Sequence, residues 1–225
     1  MSAGESHGTA LSMRAREPGV VDSARISRHF GLVLSIGVTD TLLATQMEPA
    51  PTLSAFDQFL SARGLRFDAV IIGGTALVLL GVTSRQTRDC DILDPVLPDE
   101  IALAAREFAG QQRAASLELA DDWFNNGPRD LIRVLPEGWP ERVVTLLEGQ
   151  GLVLRTLGRK DLLCTKLFAL CDRGFDLADC VALDPTPEEL SELQPWVALQ
   201  DANPDWTAHV HSTLADLGRK LGHVL

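Results

Sequence analysis

The sequence predicts an α+β fold: a small mixed sheet with flanking helices, followed by a helical C-terminal region. Three features of the 225 residues carry that expectation. An apolar, β-branched run, Phe67–Ile72, stops at Gly73-Gly74 and passes directly into a short helical stretch. Further strand-like runs follow. From Arg159 onward the texture is helical to the end.

The elements are predicted in order as follows. Residues 1–50 lack a sustained period and form a loosely organised N-terminal extension, in which 31–43 suits a strand or a short helix. Met47, followed by Glu48-Pro49-Ala50-Pro51, is an equally good start for the ordered part. Leu53, Phe56, Phe59 and Leu60 have helical spacing, and Gly64 stands where a C-terminal cap belongs. After the strand at 67–72, residues 75–80 form a short helix ended by Gly81. A second strand covers 87–93, with alternating acids, and a helix runs from Pro98 to about Gln111. Strands are then expected at 115–119, 131–135 and 152–157. In the C-terminal part, Thr186, Pro187 and Glu189 make a capped helix start, and Asn203-Pro204-Asp205 opens another. The resulting division is 1–50, 51–158 and 159–225.

Composition narrows the function classes. With 45% apolar and 23% charged residues, a core can be buried and wholesale disorder is excluded. Twenty Lys and Arg against 31 Asp and Glu give a formal charge of -11, which repels a polyanion unless basic residues gather locally. A general DNA coat protein is therefore disfavoured. Cys90, Cys164, Cys171 and Cys180 form no C-x-x-C pair and read as small buried hydrophobes in a reducing compartment, so a cytoplasmic location is expected. No membrane partner is expected: the best apolar run, 30–44, is broken by Asp40 and falls short of the roughly 18 residues of a span. Glu17 and Asp22 among the arginines argue against a signal peptide.

The stretch 70–93 carries the chemistry. Gly73 and Gly74 lie at a strand-to-helix junction, where missing Cβ atoms let backbone N–H groups approach an anion such as phosphate. Asp89 and Asp91 are two apart on a predicted strand, so both carboxylates share a face. Such neighbours repel unless a cation lies between them, and their hard oxygens suit magnesium shared with substrate phosphates. Arg85 and Arg88 offer planar, permanently charged forks to the same phosphates. On the later helix, Lys166 and Arg173 are seven residues apart and share a side, next to an apolar stripe of Leu163, Leu167 and Leu170.

In these blocks the chain resembles the nucleotidyltransferase superfamily with the polymerase-beta-like fold, and most closely its AbiEii-like toxin branch with related bacterial nucleotidyltransferases. The matching positions are Gly73-Gly74-Thr75, the run Arg85-Gln86-Thr87-Arg88-Asp89-Cys90-Asp91, then Lys166-Leu167-Phe168-Ala169, Arg173 and Asp176-Leu177-Ala178-Asp179. The resemblance covers roughly 54–183. It implies a magnesium-dependent (or manganese-dependent) transfer of a nucleoside monophosphate from a nucleoside triphosphate to an RNA, protein or small-molecule acceptor. A tRNA acceptor and an antitoxin partner are among its implications, as is a catalytically silent nucleotide-binding or partner-binding module. Asp89 and Asp91 would hold the metal, while Gly73, Gly74, Thr75, Arg85, Thr87, Lys166, Arg173 and Asp176 would bind nucleotide. Superfamily members usually add a third carboxylate from a neighbouring strand. Asp130 is the best-placed candidate here, with Glu118 next. The four tryptophans, Trp123, Trp139, Trp196 and Trp206, read as packing residues rather than base-stacking ones, and the histidines receive no role.

Overall fold

The computed structural model describes residues 46–223. The segment 31–43 and most of the expected N-terminal extension lie outside the described residues. The chain enters at Met47, whose backbone N–H and C=O pair with Thr87. Helix α1, Pro49–Ser61, begins four residues before Leu53, the first residue of the apolar spacing. Pro49 and Pro51 sit in its first turn, where N–H groups have no intrahelical partner to lose.

Strand β1 (Phe67–Ile72) leads directly into α2 (Gly73–Leu79), and β2 (Cys90–Asp94) follows after a loop. Helix α3 spans Asp99–Ala114, and β3 is the two-residue strand Phe124–Asn125. Two 3₁₀ turns, Arg129–Arg133 and Trp139–Arg142, precede the hairpin of β4 (Val144–Glu148) and β5 (Leu152–Thr156). Four helices close the chain: α4 (Arg159–Arg173), α5 (Leu177–Leu183), α6 (Pro187–Ala198) and α7 (Trp206–Lys220). The five strands form one mixed sheet in the order β3-β2-β1-β5-β4, so the α+β expectation holds. β1 runs parallel to β5 and antiparallel to β2, while β3 runs parallel to β2.

Alternation along the strands divides the core. Phe67, Ala69 and Ile71 of β1 face a cluster with α1 and α3, whereas Ile72, together with Leu93 of β2, packs on the side of α4 to α7. The first side contains tilted and edge-on rings of Phe56, Phe108, Trp123 and Phe124. On the other side, Arg142 anchors the start of α4: its guanidinium donates two 2.7 Å hydrogen bonds to the fully buried Asp161 carboxylate. Helix α6 starts with the expected reciprocal cap, Thr186 with Glu189, and Gly174 ends α4 in the left-handed region at φ 74°.

Three expectations need correction. Residues 115–119 form no strand: α3 continues to Ala114, and the Leu119 carbonyl accepts from Arg113 Nη1 instead of a ladder partner. The edge of β2 is already occupied by Phe124–Asn125. Residues 131–135 are a 3₁₀ turn and its exit, because Leu131 and Leu135 are buried together across one helical turn, with Leu135 N–H donating to Leu131 O. Finally, β2 begins at Cys90, later than expected at 87, and β4 goes unpredicted although Val144-Thr145-Leu146-Leu147 before a Gly-rich turn carries the strand signal.

Candidate active site

Asp91 lies in β2 between two neighbours, facing Ile72 across the antiparallel pair and Asn125 across the parallel one. Pairing with Ile72 brings the carboxylate against the diglycine turn. Gly73 has φ 80°, and a Cβ there would come within 2.6 Å of Asp91 Oδ2. A Cβ on Gly74 would come within 3.1 Å of Arg85 Nη2 and of Thr87 Cγ2. The two glycines are thus required chiefly so that an acid and an arginine can close over the backbone.

Thr75 and Thr87 stand behind this turn. Both are buried, and neither lines the cavity described below. Thr75 Oγ1 donates to the Asp89 carbonyl at 2.6 Å and, lying 3.0 Å from Thr87 Oγ1, accepts from that hydroxyl. Their geometry holds the acidic segment against α2 and spends the Asp89 carbonyl outside the sheet ladder, which is why the strand starts one residue later.

The cations come from two other elements. Lys166, near the middle of α4, is only 7% exposed, and its ammonium donates to Asp176 Oδ1 at 2.9 Å and Asp179 Oδ2 at 2.7 Å. Asp179 also accepts from Arg85 Nη2 through both oxygens, at 2.9 and 2.8 Å. Asp176 Oδ2 accepts from Arg173 Nη2 at 2.9 Å. Two carboxylates at the start of α5 therefore gather three cations from the 80–90 loop and from both halves of α4. Burial works against the Lys166 charge, yet Asp176 and Asp179 hold its pKa above the usual lysine value.

These groups enclose a cavity of about 460 Å³. Gly73, Gly74, Arg85, Asp89, Asp91, Lys166, Arg173 and Asp176 all line it, together with Asn125, Phe168 and Asp172. Asp130 does not: it sits on the 3₁₀ turn with its side chain half exposed, 3.9 Å from Arg133. Glu118 lines a different depression, beside Met47 and Leu119. A wider hollow of about 940 Å³ between 48–51 and 81–86 shares Arg85 but has neither aspartate of the pair. The acid pair and the three cations therefore meet in the smaller cavity. The tryptophans are spent on packing: Trp123, Trp196 and Trp206 donate their indole N–H groups to backbone carbonyls.

Electrostatics single out the acid pair. Burial, reinforced by the charge of Asp89, pushes the Asp91 pKa up to about 7 even though Lys166 and Arg173 pull it down. Burial also raises Asp89, partly offset by Arg88. Two carboxylates strained in this way suit a hard divalent cation, which would relieve both repulsion and desolvation. Among the described residues no group of three or more His, Cys, Asp or Glu is arranged to hold a metal, so a cation here would rest on Asp89 and Asp91 with its remaining ligands from water and substrate. The four cysteines are free and buried, and burial lifts Cys164, Cys171 and Cys180 to about 12, leaving inert thiols.

Three residues of the site escape a reading of the sequence as a list of ligands. Asp179 is the carboxylate that joins Lys166 to Arg85, although it stands in the same D-x-x-D run as Asp176. Asp122 is the further acid that acts on Asp89 through space, signalled only by its place just before β3. Asn125 occupies the neighbouring-strand position opposite Asp91, with both amide groups used locally: Nδ2 donates to Asp122 O and Oδ1 accepts from Gly127 N–H.

A mixed sheet that presents a diglycine turn and an Asp-x-Asp pair to a lysine on the helix after its last strand fits the nucleotidyltransferase class. The chain belongs to the family described as nucleotidyltransferase of unknown function (DUF6036), whose sequence profile matches residues 52–182 and so embraces the turn, the acids and the lysine network. No curated protein and no solved structure is significantly similar to it. Among the described residues, no helix is long and apolar enough to cross a membrane.

Proposed function

We propose that the chain transfers a nucleoside monophosphate from a nucleoside triphosphate to an acceptor hydroxyl, with magnesium, or manganese in its place, as the cofactor. The observation that carries this reading is one cavity lined both by the carboxylates of Asp89 and Asp91 and by the cations Arg85, Lys166 and Arg173. A metal-bound triphosphate has both needs, a cation held by carboxylates and an anion matched by ammonium and guanidinium groups.

Asp89 and Asp91 would hold the metal, which supplies neutralisation of the triphosphate and a lowered pKa for the acceptor hydroxyl. Gly73 and Gly74 line the cavity and let Asp91 and Arg85 close against the backbone, beside the phosphates. Lys166 and Arg85, pre-oriented by Asp179, and Arg173, pre-oriented by Asp176, steady the β- and γ-phosphates. The acceptor oxygen forms a bond to the α-phosphorus while the bond from that phosphorus to the bridging oxygen breaks. Pyrophosphate leaves, and the hydroxyl proton passes to water.

The finer reading, a toxin of the AbiEii-like kind with a tRNA or protein acceptor and an antitoxin partner, is supported by the run from Arg85 to Asp91 and by the Lys166 to Asp179 block. A silent nucleotide-binding module is favoured by one observation, the amide of Asn125 where a third carboxylate would stand. Incubation with each α-labelled triphosphate, magnesium and either total RNA or lysate separates the two. Label transfer that disappears in Asp89→Ala and Asp91→Ala supports the enzyme. Triphosphate binding with no transfer to any acceptor supports the silent module.

A further inference from the structure

Phe175 is 83% exposed, and among the described residues it is the only phenylalanine or tryptophan classed as exposed. Every other described phenylalanine is buried in one of the two cores. Its position is fixed by what surrounds it in the chain. Gly174, at φ 74°, ends α4 and turns the backbone out of the helix. Arg173 and Asp176, on either side, both line the cavity and are joined by a 2.9 Å ion pair that closes the 173–176 turn. An exposed apolar ring thus stands on a pinned turn between two residues that line the polar cavity, while the ring itself is outside the lining.

Resting on the proposed nucleotide chemistry, we infer that Phe175 is the stacking platform for the base of the donor nucleotide. The cavity itself offers phosphate and metal groups but little aromatic surface: Phe168 lines it yet is only 5% exposed, and the tryptophans Trp123 and Trp206 are buried elsewhere. Asp176, the residue after Phe175, accepts from Lys166 Nζ and from Arg173 Nη2, each at 2.9 Å, so the turn that carries Phe175 adjoins the cationic groups of the cavity. A triphosphate held by these groups would have its nucleoside within reach of that turn. Every base has a π-face, so a single ring favours stacking over hydrogen-bond readout, and selectivity should follow stacking strength, purines above pyrimidines.

Calorimetric titration of the full chain with ATP, GTP, CTP, UTP and inorganic tripolyphosphate, all with magnesium, tests this. Phe175→Ala should weaken nucleoside triphosphate binding about 5- to 150-fold. It should leave tripolyphosphate affinity and the melting temperature unchanged, and Phe175→Trp should retain nucleotide affinity. Equal affinity of Phe175→Ala and wild type for the four nucleotides overturns the stacking role alone, as does an equal loss for tripolyphosphate. A change in oligomeric state without a change in nucleotide affinity also overturns it, assigning the ring to a protein interface. Failure of the wild-type protein to bind any triphosphate overturns the nucleotide reading itself.

Discussion

Asp91 on β2 faces Asn125 on β3 in direct register, an acid opposite an amide at the floor of the cavity. The amide is turned to local partners, Nδ2 donating to Asp122 O and Oδ1 accepting from Gly127 N–H, and it brings no negative charge to the acid pair. Asn125→Asp would set a third negative charge against a pair already raised in pKa. With a chelator present, this variant should melt below wild type, and magnesium or manganese should close most of the gap. Differential scanning fluorimetry with and without cation reads the effect; a gap indifferent to cation would show that position 125 does not join the acid pair in holding one.

Asp91 itself makes the metal-free protein sensitive to pH. Its folded pKa, about 7, lies above the ordinary aspartate value, so the folded state resists ionisation. The resulting loss of stability is absent below about pH 4, grows as pH rises toward 7 and is constant beyond. A three-unit shift corresponds to about 4 kcal/mol, an upper figure because Asp89 titrates together with it. Chelated wild-type protein should therefore melt lower at pH 8 than at pH 5, and Asp91→Asn should flatten that dependence.

The bridge through Asp179 predicts a contrast between two ion pairs. Asp179→Ala leaves the nearly buried Lys166 with Asp176 alone and frees Arg85, and should cost about 3 kcal/mol, the low end for breaking a buried pair. Asp68→Asn, which removes an exposed pair with Arg155, should cost less than about 1 kcal/mol. Urea unfolding of both variants checks the ratio. Similar costs would mean that Asp179 does not carry the network.

The start of α6 gives a prediction independent of the site. Thr186→Ala removes the acceptor for Glu189 N–H and should cost about 1 kcal/mol. Its partner Glu189 has a pKa lowered first by Arg159 and then by the cap, so its contribution is complete above the usual glutamate range and is lost as pH falls below about 4.5. Glu189→Gln should therefore narrow the stability difference between pH 6 and pH 3, measured by denaturant midpoints.

How much of this was legible in the sequence follows from the range of the interactions involved. The strand at 67–72, the diglycine turn, the capped start of α6 and the end of α4 at Gly174 are set by neighbours within a few residues, through hydrogen bonds and backbone freedom that local sequence encodes. The acid pair and Lys166 were legible as residue types for the same reason. Residues 131–135 misled because Leu131 and Leu135 fit one helical turn as well as an apolar run, and only burial beside α4 and α6 decided between them. Tertiary structure alone decided that Asp130 stays outside the cavity, that Asn125 stands opposite Asp91, and that Asp179, 94 residues along the chain from Arg85, ties that arginine to Lys166. Strand register and ion pairing between distant segments depend on which surfaces the packed core brings together, and no local pattern of residues specifies that.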